Sequence, residues 1–439
     1  MATDKRFLDG YITDSMYPSM FHHRFTPSWT DSFLPRHRVP SPRTLRGAFT
    51  FVDAGCGDGF GLIVNAIAHP EGQFFGFDMS ADQIERGQQL IRALGLRNIT
   101  LQRMTLADAS LEREADYVMS QGVLSWVDAQ NQAALWSFAS RTLKPGGLFV
   151  VGYNVQPGWA HMYPFQRLMR AFSEPLSGDA MERFVEGLKA VRVTGAVGQA
   201  QLEQIDNELE SDSSAYLPHE YLNKFWSAMW SGDVIETASA HNFDFVQTAA
   251  EHRIRNDFVF TKAQRDALRV IESDTTREVT SDILLNTKFR TDIYVKRGYQ
   301  QLSPAAAQQS RLQQFWAAQT PVAGVSYFCD GPAGQLKFDN RAAQILLTTM
   351  ERGPTSLNAI PNIAAPDLLN TIDALFAAGL VRPVESPSEV PHARAFNNLV
   401  FSAQVVINAL VGAFGSTPSV HGTARFDSGA VDRLGIALY

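Results

Sequence analysis

The chain has 439 residues, of which 45% are hydrophobic and 19% charged, so two or three globular domains are expected. The formal net charge of -7 argues against a general binder of phosphate backbones. Its two cysteines, Cys56 and Cys329, lack the spacing of a disulfide framework or a zinc site, which predicts no metal and favours a reducing cytoplasm.

The first 47 residues predict an irregular arm. Residues 1–47 contain many Pro, His and aromatic residues, show little periodicity and lack the apolar stretch of a secretory signal. We expect this arm to pack on the domain that follows it.

Residues 48–160 alternate between strand and helix patterns. Five apolar runs read as strands, and two amphipathic segments read as helices, the second with Ser80 as its N-cap and Gly95 near its end. Such alternation is typical of an α/β domain in which helices cover both faces of a parallel sheet.

The remainder of the chain is mainly helical. Over 161–300 apolar residues recur at spacings of three and four, and one strand, within 243–254, is expected to return to the first sheet. Residues 301–439 predict a linker or bridging helix over 301–320. A helix, short helix, helix and strand then follow over 338–386, in the order of a winged helix.

One long apolar run remains near the end of the chain. Residues 399–415 are interrupted by Ser402, Gln404 and Asn408 and fall short of the ~20 apolar residues of a membrane span. The run predicts a core or interface helix, without membrane insertion.

The most informative stretch is "FVDAGCGDGFG", residues 51–61. Asp53 ends the first predicted strand, and Gly55, Gly57 and Gly59 follow at a spacing of two. Ligands of open α/β sheets bind at this edge, where glycines allow close approach of the backbone. The dinucleotide fingerprint GxGxxG does not fit, because Phe60 stands where its third glycine is required.

Three further elements follow in chain order. Asp78 ends the second strand in "FFGFD", where a carboxylate can accept both hydroxyls of a ribose, and Asp108 follows the third strand in "MTLADAS". "LKPGG", residues 143–147, predicts a tight turn before the fifth strand. Together with the glycine loop, these elements over residues 48–154 resemble the class I S-adenosylmethionine-dependent methyltransferases.

This resemblance implies a Rossmann-like domain that binds S-adenosyl-L-methionine and releases S-adenosyl-L-homocysteine. It places the methionine half of the cofactor on the glycine loop, the ribose on Asp78, the adenine between Met79 and Asp108, and the methyl group near the end of the fourth strand. The cofactor-binding residues that it implies are Tyr17, Asp53, Ala54, Gly55, Cys56, Gly57, Gly59, Asp78, Met79, Ala107, Asp108, Ser120, Gln121 and Gly122. Cys56 is interpreted as a small packing residue, since no base that would activate its thiol is visible.

A longer resemblance extends beyond the cofactor domain. "SQGVLSWV", "GYNVQPGW", "HEYLNKFW" and "NTKFRTDIYVKRG" are similar to segments of bacterial methyltransferases with a methyltransferase regulatory domain. That group includes protein-lysine methyltransferases that modify outer-membrane proteins. The resemblance implies N-methylation of lysine side chains, with methylation of a small molecule or non-catalytic binding of the cofactor as alternatives.

Lysine methylation requires a neutral amine, whereas the reference pKa of lysine is about 10.4. A dry, aromatic-lined site would lower that pKa and tolerate the cationic product. The residues expected to form such a site, or to orient the amine, are Tyr153, Asn154, Trp159, His219 and Tyr221, with Trp126 and Glu220 as further candidates. For each of them a structural role in the core or as a helix cap is an equal alternative.

The sequence predicts no nucleic-acid partner. Asn154 is followed by Val155 and Gln156, unlike the (N/D)PPY motif of enzymes that methylate amino groups of nucleic acids. The would-be recognition helix of the winged-helix-like region, "PDLLNTIDALFAAG", has two Asp and no Lys or Arg. This region therefore predicts contact with a protein partner or self-association, including a homodimer.

Overall fold

The computed structural model describes residues 6–43, 47–210, 214–319, 325, 328–338, 340–385, 392 and 396. An irregular arm comes first, as its composition predicts. Its elements are β1 (Phe7–Leu8), β2 (Tyr11–Ile12), a 3-10 helix (His23–Phe25), α1 (Pro27–Phe33) and a second 3-10 helix (Leu34–His37). Helix α1 begins where the Thr26 side chain accepts a hydrogen bond from the Trp29 backbone and Pro27 occupies the first turn. Phe33 and Leu34 are fully buried, so the arm packs on the rest of the protein.

Seven strands form the central sheet. They are β3 (Thr50–Ala54), β4 (Gln73–Asp78), β5 (Ile99–Arg103), β6 (Ala115–Gln121), β7 (Leu143–Asn154), β8 (Phe243–Thr248) and β9 (Phe289–Lys296). Their order across the sheet is β5-β4-β3-β6-β7-β9-β8, and only β9 runs antiparallel to its neighbours. The neighbours Phe51 and Val52 belong to two different hydrophobic clusters, so both faces of the sheet are covered. This is the mostly parallel α/β sheet that the sequence predicts.

The helices of the first sheet half begin and end as their sequences indicate. They are α2 (Phe60–Ala68), α3 (Ala81–Leu94), α4 (Val123–Trp126) and α5 (Ala129–Thr142). The Ser80 side chain caps α3 by accepting from the Gln83 backbone, and Gly95 ends that helix in the left-handed conformation. The predicted turn at residues 143–147 lies inside β7, where the partner of β6 jumps from Leu143 to Leu148.

A separate helical layer follows β7. It contains α6 (Tyr163–Ser173), α7 (Ala180–Thr194), α8 (Gln199–Leu209) and α9 (Leu217–Tyr221), with 3-10 turns at Ala160–Met162 and Ser214–Tyr216. Phe165, Phe184 and Ile205 are fully buried in a hydrophobic cluster of its own. This layer lies at the end of β7 and carries the "HEYL" segment in α9.

The chain then returns to the sheet. Its elements are α10 (Ser231–Ala240), β8, a 3-10 helix (Glu251–Ile254), α11 (Asn256–Val259), α12 (Lys262–Arg269), α13 (Asp274–Leu285) and β9. Strand β8 supplies the returning strand expected within 243–254. The buried Arg290 guanidinium joins β9 to α13, because it donates to Asp282 and Glu278 at 2.9 Å and to Asp292 at 2.9 Å.

The last described region packs against the arm. It contains α14 (Pro304–Gln313), β10 (Phe315–Ala318), β11 (Phe328–Gly331), β12 (Gly334–Lys337), α15 (Arg341–Glu351), β13 (Thr355–Ser356), a 3-10 helix (Leu357–Ala359), α16 (Ala365–Ala377) and β14 (Val381–Val384). Phe376 of α16 lies 5.0 Å from the Trp29 ring and 5.7 Å from the Phe33 ring. Asp373 accepts hydrogen bonds from both Arg36 and Arg311. The helix expected at 399–415 lies outside the described residues.

The structure also bears on membranes and metals. Across the described ranges, no helix combines the length and the hydropathy needed to cross a membrane. The same residues contain no group of His, Cys, Asp and Glu side chains that could hold a metal ion.

Candidate cofactor and acceptor site

A cavity of ≈ 190 Å³ opens at the carboxyl ends of β3, β4 and β6. One side of it is formed by the glycine loop with Asp53 and Asp78, and the opposite side by the arm and by His219 of α9. The cavity therefore lies at the sheet edge where ligands of open α/β sheets bind.

The glycine loop exposes its backbone to this cavity. Gly57 has φ +57°, and a Cβ atom added there would meet no other atom within 4 Å, so the residue faces open space. Gly59, with φ +68°, is constrained differently, because a Cβ atom there would lie 2.8 Å from Leu101. The Gly57 backbone donates to the Asp78 carboxylate at 3.0 Å, which fixes the loop against the end of β4.

Two acidic side chains make the cavity electronegative. Burial, reinforced by the nearby Asp78, raises the pKa of Asp53 to about 7. Burial also raises the pKa of Asp78, although hydrogen bonds from the Ser80 and Gly57 backbones oppose this effect. No Lys, Arg or His in the described part of the chain forms a salt bridge with either carboxylate. A ligand that carries positive charge would compensate both.

The arm forms the outer wall of the cavity. Tyr11, Tyr17 and Phe21 line it, and the Tyr17 carbonyl accepts a hydrogen bond from Gln83 at 3.2 Å. The Ser19 hydroxyl donates to Asp58 of the glycine loop. The arm is thus fixed to the core at the cavity, and the contact of Tyr17 with the cofactor stays a prediction.

Aromatic rings collect at the end of the cavity near α9. The Tyr17 ring lies 5.2 Å from His219 and 5.9 Å from Tyr216, and the Tyr11 ring lies 5.7 Å from His219. Trp126 lines the cavity and lies 6.5 Å from Tyr216. Burial lowers the pKa of His219 to about 4, outweighing the opposite effects of the Met16 backbone and Asp14, so its imidazole is neutral near pH 7.

Most cofactor residues expected from the sequence line the cavity. These are Tyr17, Asp53, Gly55, Cys56, Gly57, Asp78, Met79 and Gln121. The Gln121 side-chain oxygen is buried without a hydrogen-bond partner and lies against Gly152, where an added Cβ atom would come within 2.1 Å of it. Cys56 is a free cysteine, and burial raises the pKa of its thiol, which agrees with a packing role.

The other expected cofactor residues do not line the cavity. Ser120 is buried behind it and donates to the Ala54 carbonyl at 2.9 Å, and Gly59 contacts Leu101. Gly122 makes room for Trp126, since a Cβ atom there would collide with the indole ring. Ala107 and Asp108 are exposed beside Thr105 and Leu106, which do line the cavity, so their contact with adenine stays a prediction.

Four of the five expected acceptor residues also require correction, because only His219 lines the cavity. Tyr153 is fully buried, and its hydroxyl donates to Asp292 at 2.6 Å. Tyr221 packs 5.0 Å from Phe165 within the helical layer. Trp159 packs 5.7 Å from Trp226, and Asn154 donates to the buried Glu220 at 3.1 Å. These four side chains pack within the protein, away from the cavity lining.

Sequence reasoning missed several cavity residues. Tyr11 and Phe21 lie in the arm, and Gln83 lies in the first turn of α3. Tyr216 completes the ring cluster from outside the cavity lining. The sequence offers only one indication of Tyr11, the pair of tyrosines that begins and ends "YITDSMY". Such a pair is also common in segments that merely pack on a core.

Comparisons with known proteins assign the two main regions. Residues 45–208 match the family model of a methyltransferase domain, and residues 213–296 match that of a predicted methyltransferase regulatory domain. The first match covers the glycine loop and the acidic cavity residues. The chain is an S-adenosylmethionine-dependent methyltransferase.

Relatives of this methyltransferase occur in several bacteria. It is 26% identical over 373 residues to an uncharacterized protein of Synechocystis sp., an alignment that covers 80% of this chain and 71% of that protein. Over 98 residues, 22% of this chain and 43% of the relative, it is 33% identical to the ribosomal RNA small subunit methyltransferase G of Vibrio campbellii. The solved structure of PKMT2 from Rickettsia typhi in complex with AdoHcy has the same fold. It superposes with a TM-score of 0.65 at 20% identity, covering 84% of this chain and 77% of that one.

The cavity of the methyltransferase fits its cofactor. The open space at Gly57 and the carboxylates of Asp53 and Asp78, which have no cationic partner among the described residues, suit a ligand with a sulfonium cation, an amino group and ribose hydroxyls. Asp78 would hold the ribose, and Asp53 with the glycine loop the methionine half. When bound, S-adenosylmethionine supplies a methyl group that a nucleophile can attack.

Proposed function

We propose that this methyltransferase N-methylates lysine side chains of a protein. The observation that carries the proposal is the ring cluster of Tyr11, Tyr17, Trp126 and His219 at one end of the cofactor cavity. Aromatic faces attract cations, so they can hold an ammonium group before the reaction and a methylammonium group after it. The resemblance of four sequence segments to bacterial methyltransferases that include protein-lysine methyltransferases supports the same substrate class.

The residues of this chain would prepare the acceptor for attack. The acceptor ammonium first loses a proton to solvent, and the lone pair of the resulting amine forms the N–C bond while the S–C electrons stay on sulfur. Low accessibility around the rings favours the neutral amine by desolvation. His219 is neutral near pH 7, so it adds no positive charge that would repel the ammonium form of the acceptor as it enters. Much of the rate would come from orientation.

A second candidate is methylation of a small molecule. The arm covers the cavity between Gln83 and Asp58, and such a cover also suits a small acceptor that is enclosed during the reaction. Asp9 is exposed at the hairpin tip and also lines the cavity, so the cavity reaches the surface there. A lysine side chain could enter at that opening without the whole peptide, which favours the first candidate.

We also propose the domain boundaries 1–47, 48–160, 161–300 and 301–439, with the last domain winged-helix-like. The order α15, 3-10 helix, α16 and β14 supports this description. The helix that would read a DNA groove is α16, and its Phe376 and Asp373 contact the arm. These contacts favour a role of α16 in supporting the arm over nucleic-acid binding. A homodimer would then form through a surface other than this face of α16.

The test is transfer of a radiolabelled methyl group from S-adenosylmethionine into host-cell extract, separated into protein, small-molecule and nucleic-acid fractions. The Asp78→Ala variant serves as the blank. Label recovered as methyl-lysine after protein hydrolysis, and absent with the variant, is the expected result. Label confined to small molecules would replace the lysine proposal by the second candidate.

A further inference from the structure

Glu220 is a buried carboxylate without a positive partner. It is 1% exposed on α9 and accepts hydrogen bonds from the Tyr216 hydroxyl, from Trp226 Nε1 at 2.9 Å and from Asn154 Nδ2 at 3.1 Å. All three donors are neutral. In the described part of the chain no Lys, Arg or His forms an ion pair with it.

This arrangement is costly unless a cation arrives. A buried carboxylate needs hydrogen bonds and a compensating charge, and only the first requirement is met here. Arg183, the buried guanidinium of α7, is engaged by Asp14 and by the Gly178 carbonyl. His219, the neighbour of Glu220 on α9, is neutral.

Glu220 is coupled to the ring cluster at the cavity. Tyr216, its hydroxyl donor, lies in ring contact with Tyr17 and Trp126, which both line the cavity. The negative charge of Glu220 also contributes to raising the pKa of Tyr11 and of Tyr17, so its field reaches the cavity wall. A cation between these rings would be attracted by Glu220 without touching it.

We propose that Glu220 is the positioning and specificity residue that makes the acceptor site select a cationic amine over a neutral or anionic acceptor. It acts through Tyr216 and the rings of Tyr17 and Trp126. This inference rests on the proposed amine acceptor and adds the residue that recognises its charge.

The test uses head-group probes, because the protein substrate is unidentified. Binding of n-butylammonium and of 1-butanol is measured by calorimetric titration of the protein saturated with S-adenosylhomocysteine. We expect the wild type to prefer the cation by about tenfold, and Glu220→Gln to lose that preference while its melting temperature and S-adenosylhomocysteine affinity stay unchanged. Glutamine keeps the size and acceptor oxygen but removes the charge.

Glu208→Gln is the matched control. Glu208 lies on α8, and its charge also reaches Glu220, but it is not one of the hydrogen-bond partners of Glu220. The control should keep most of the preference. Equal loss in both variants, no loss in Glu220→Gln, or no preference in the wild type would each overturn the inference.

A pH titration of the wild type tests the same charge without a mutation. Burial raises the pKa of Glu220 to about 6, against the effect of its three hydrogen bonds, so the preference should fall as pH drops below about 6. The charge of Glu220 acts on Tyr11, Tyr17, Tyr216 and Tyr221, and that of Glu208 acts on Glu220. His219 adjoins Glu220 on α9 and is influenced by Asp14, which pairs with Arg183. The titration is repeated in Asp53→Asn protein, since Asp53 titrates nearby. A preference that persists unchanged to about pH 5 would contradict the inference.

The two proposals can fail separately. Ammonium preference that depends on Glu220, without methyl-lysine in the labelling experiment, would refute only the protein-lysine substrate. Methyl-lysine formation with unchanged ammonium binding in Glu220→Gln would refute only the role of Glu220.

Discussion

The cofactor side and the acceptor side of the cavity are built in different ways. The cofactor side comes mainly from β3, β4 and the loops that follow them, where Asp53, Gly57 and Asp78 lie within 26 positions of the chain. The acceptor side combines the arm, α4 and α9, so Tyr17, Trp126 and His219 are brought together from distant segments. Local sequence patterns are therefore enough to predict the cofactor side, whereas the acceptor side depends on tertiary packing.

The largest expected effect is on the cofactor side. Asp78→Ala removes the carboxylate that we propose holds the ribose, and it also frees the Gly57 and Ser80 backbones. Loss of two hydrogen bonds to a charged group should weaken S-adenosylmethionine binding by about 3 kcal/mol, on the order of 100-fold. Asp82→Ala, an exposed acid in the first turn of α3, is the control and should bind normally in calorimetric titration. Comparable affinity of the two variants would remove Asp78 from the site.

The next effect depends on pH and concerns Asp53. Its pKa of about 7 in the free protein means that a cationic cofactor must displace a proton at or below neutral pH. Affinity should therefore rise with pH between about 6 and about 7 and level off above, with proton release on binding. Asp53→Asn should weaken binding by about tenfold and abolish the proton release. Calorimetry in two buffers of different ionisation enthalpy measures that release, and identical release in the variant would refute the assignment.

A pair of glycines separates backbone strain from contact with the ligand. Gly57 and Gly195 both have positive φ, and a Cβ atom at either would meet nothing within 4 Å, but only Gly57 faces the cavity. Alanine at either position should lower the free energy of unfolding by about 1 kcal/mol through the left-handed conformation. Only Gly57→Ala should also weaken cofactor binding, by about fivefold, because the methyl group occupies ligand space. Equal binding by the two variants would contradict the exposure of the loop.

The smallest effect is expected at Asp108. Its side chain is exposed and accepts a hydrogen bond from Thr105 at 2.7 Å. A hydrogen bond from adenine to Asp108 would therefore replace the one from Thr105 and would not increase the number of hydrogen bonds. Asp108→Ala should weaken cofactor binding by about threefold, within the net value of one hydrogen bond. Fluorescence titration with S-adenosylhomocysteine suffices to measure it. A loss as large as that of Asp78→Ala would contradict this exchange of the Thr105 hydrogen bond for one to adenine.

The sequence predicted the sheet and its ligand edge well, because these follow from local patterns. Asp53 is the penultimate residue of β3 and Asp78 the last of β4, close to where the sequence pattern predicts the two strands to end. Strand β9 was not predicted, since residues 290–295 are buried on both faces and show no alternation of polar and apolar residues.

The acceptor residues were harder to predict for a related reason. Tyr153 and His219 both appeared as polar aromatic candidates after a strand or within a helix start. What separates the two candidates is their environment. Tyr153 donates to the buried Asp292, whereas His219 packs on Tyr17 at the cavity. A one-dimensional pattern contains no information on such partners, which lie 139 and 202 positions away along the chain.

The contact of Phe376 with Trp29 and Phe33 has a consequence for the order of synthesis. The arm that covers the cofactor cavity is made first, but the helix that packs on it emerges from the ribosome more than 300 residues later. Every residue that lines the cavity precedes α16 in the chain and can therefore be made while the arm still lacks its support. Full cofactor retention then belongs to the completed chain, and a nascent or truncated chain would carry an intact but poorly closed site.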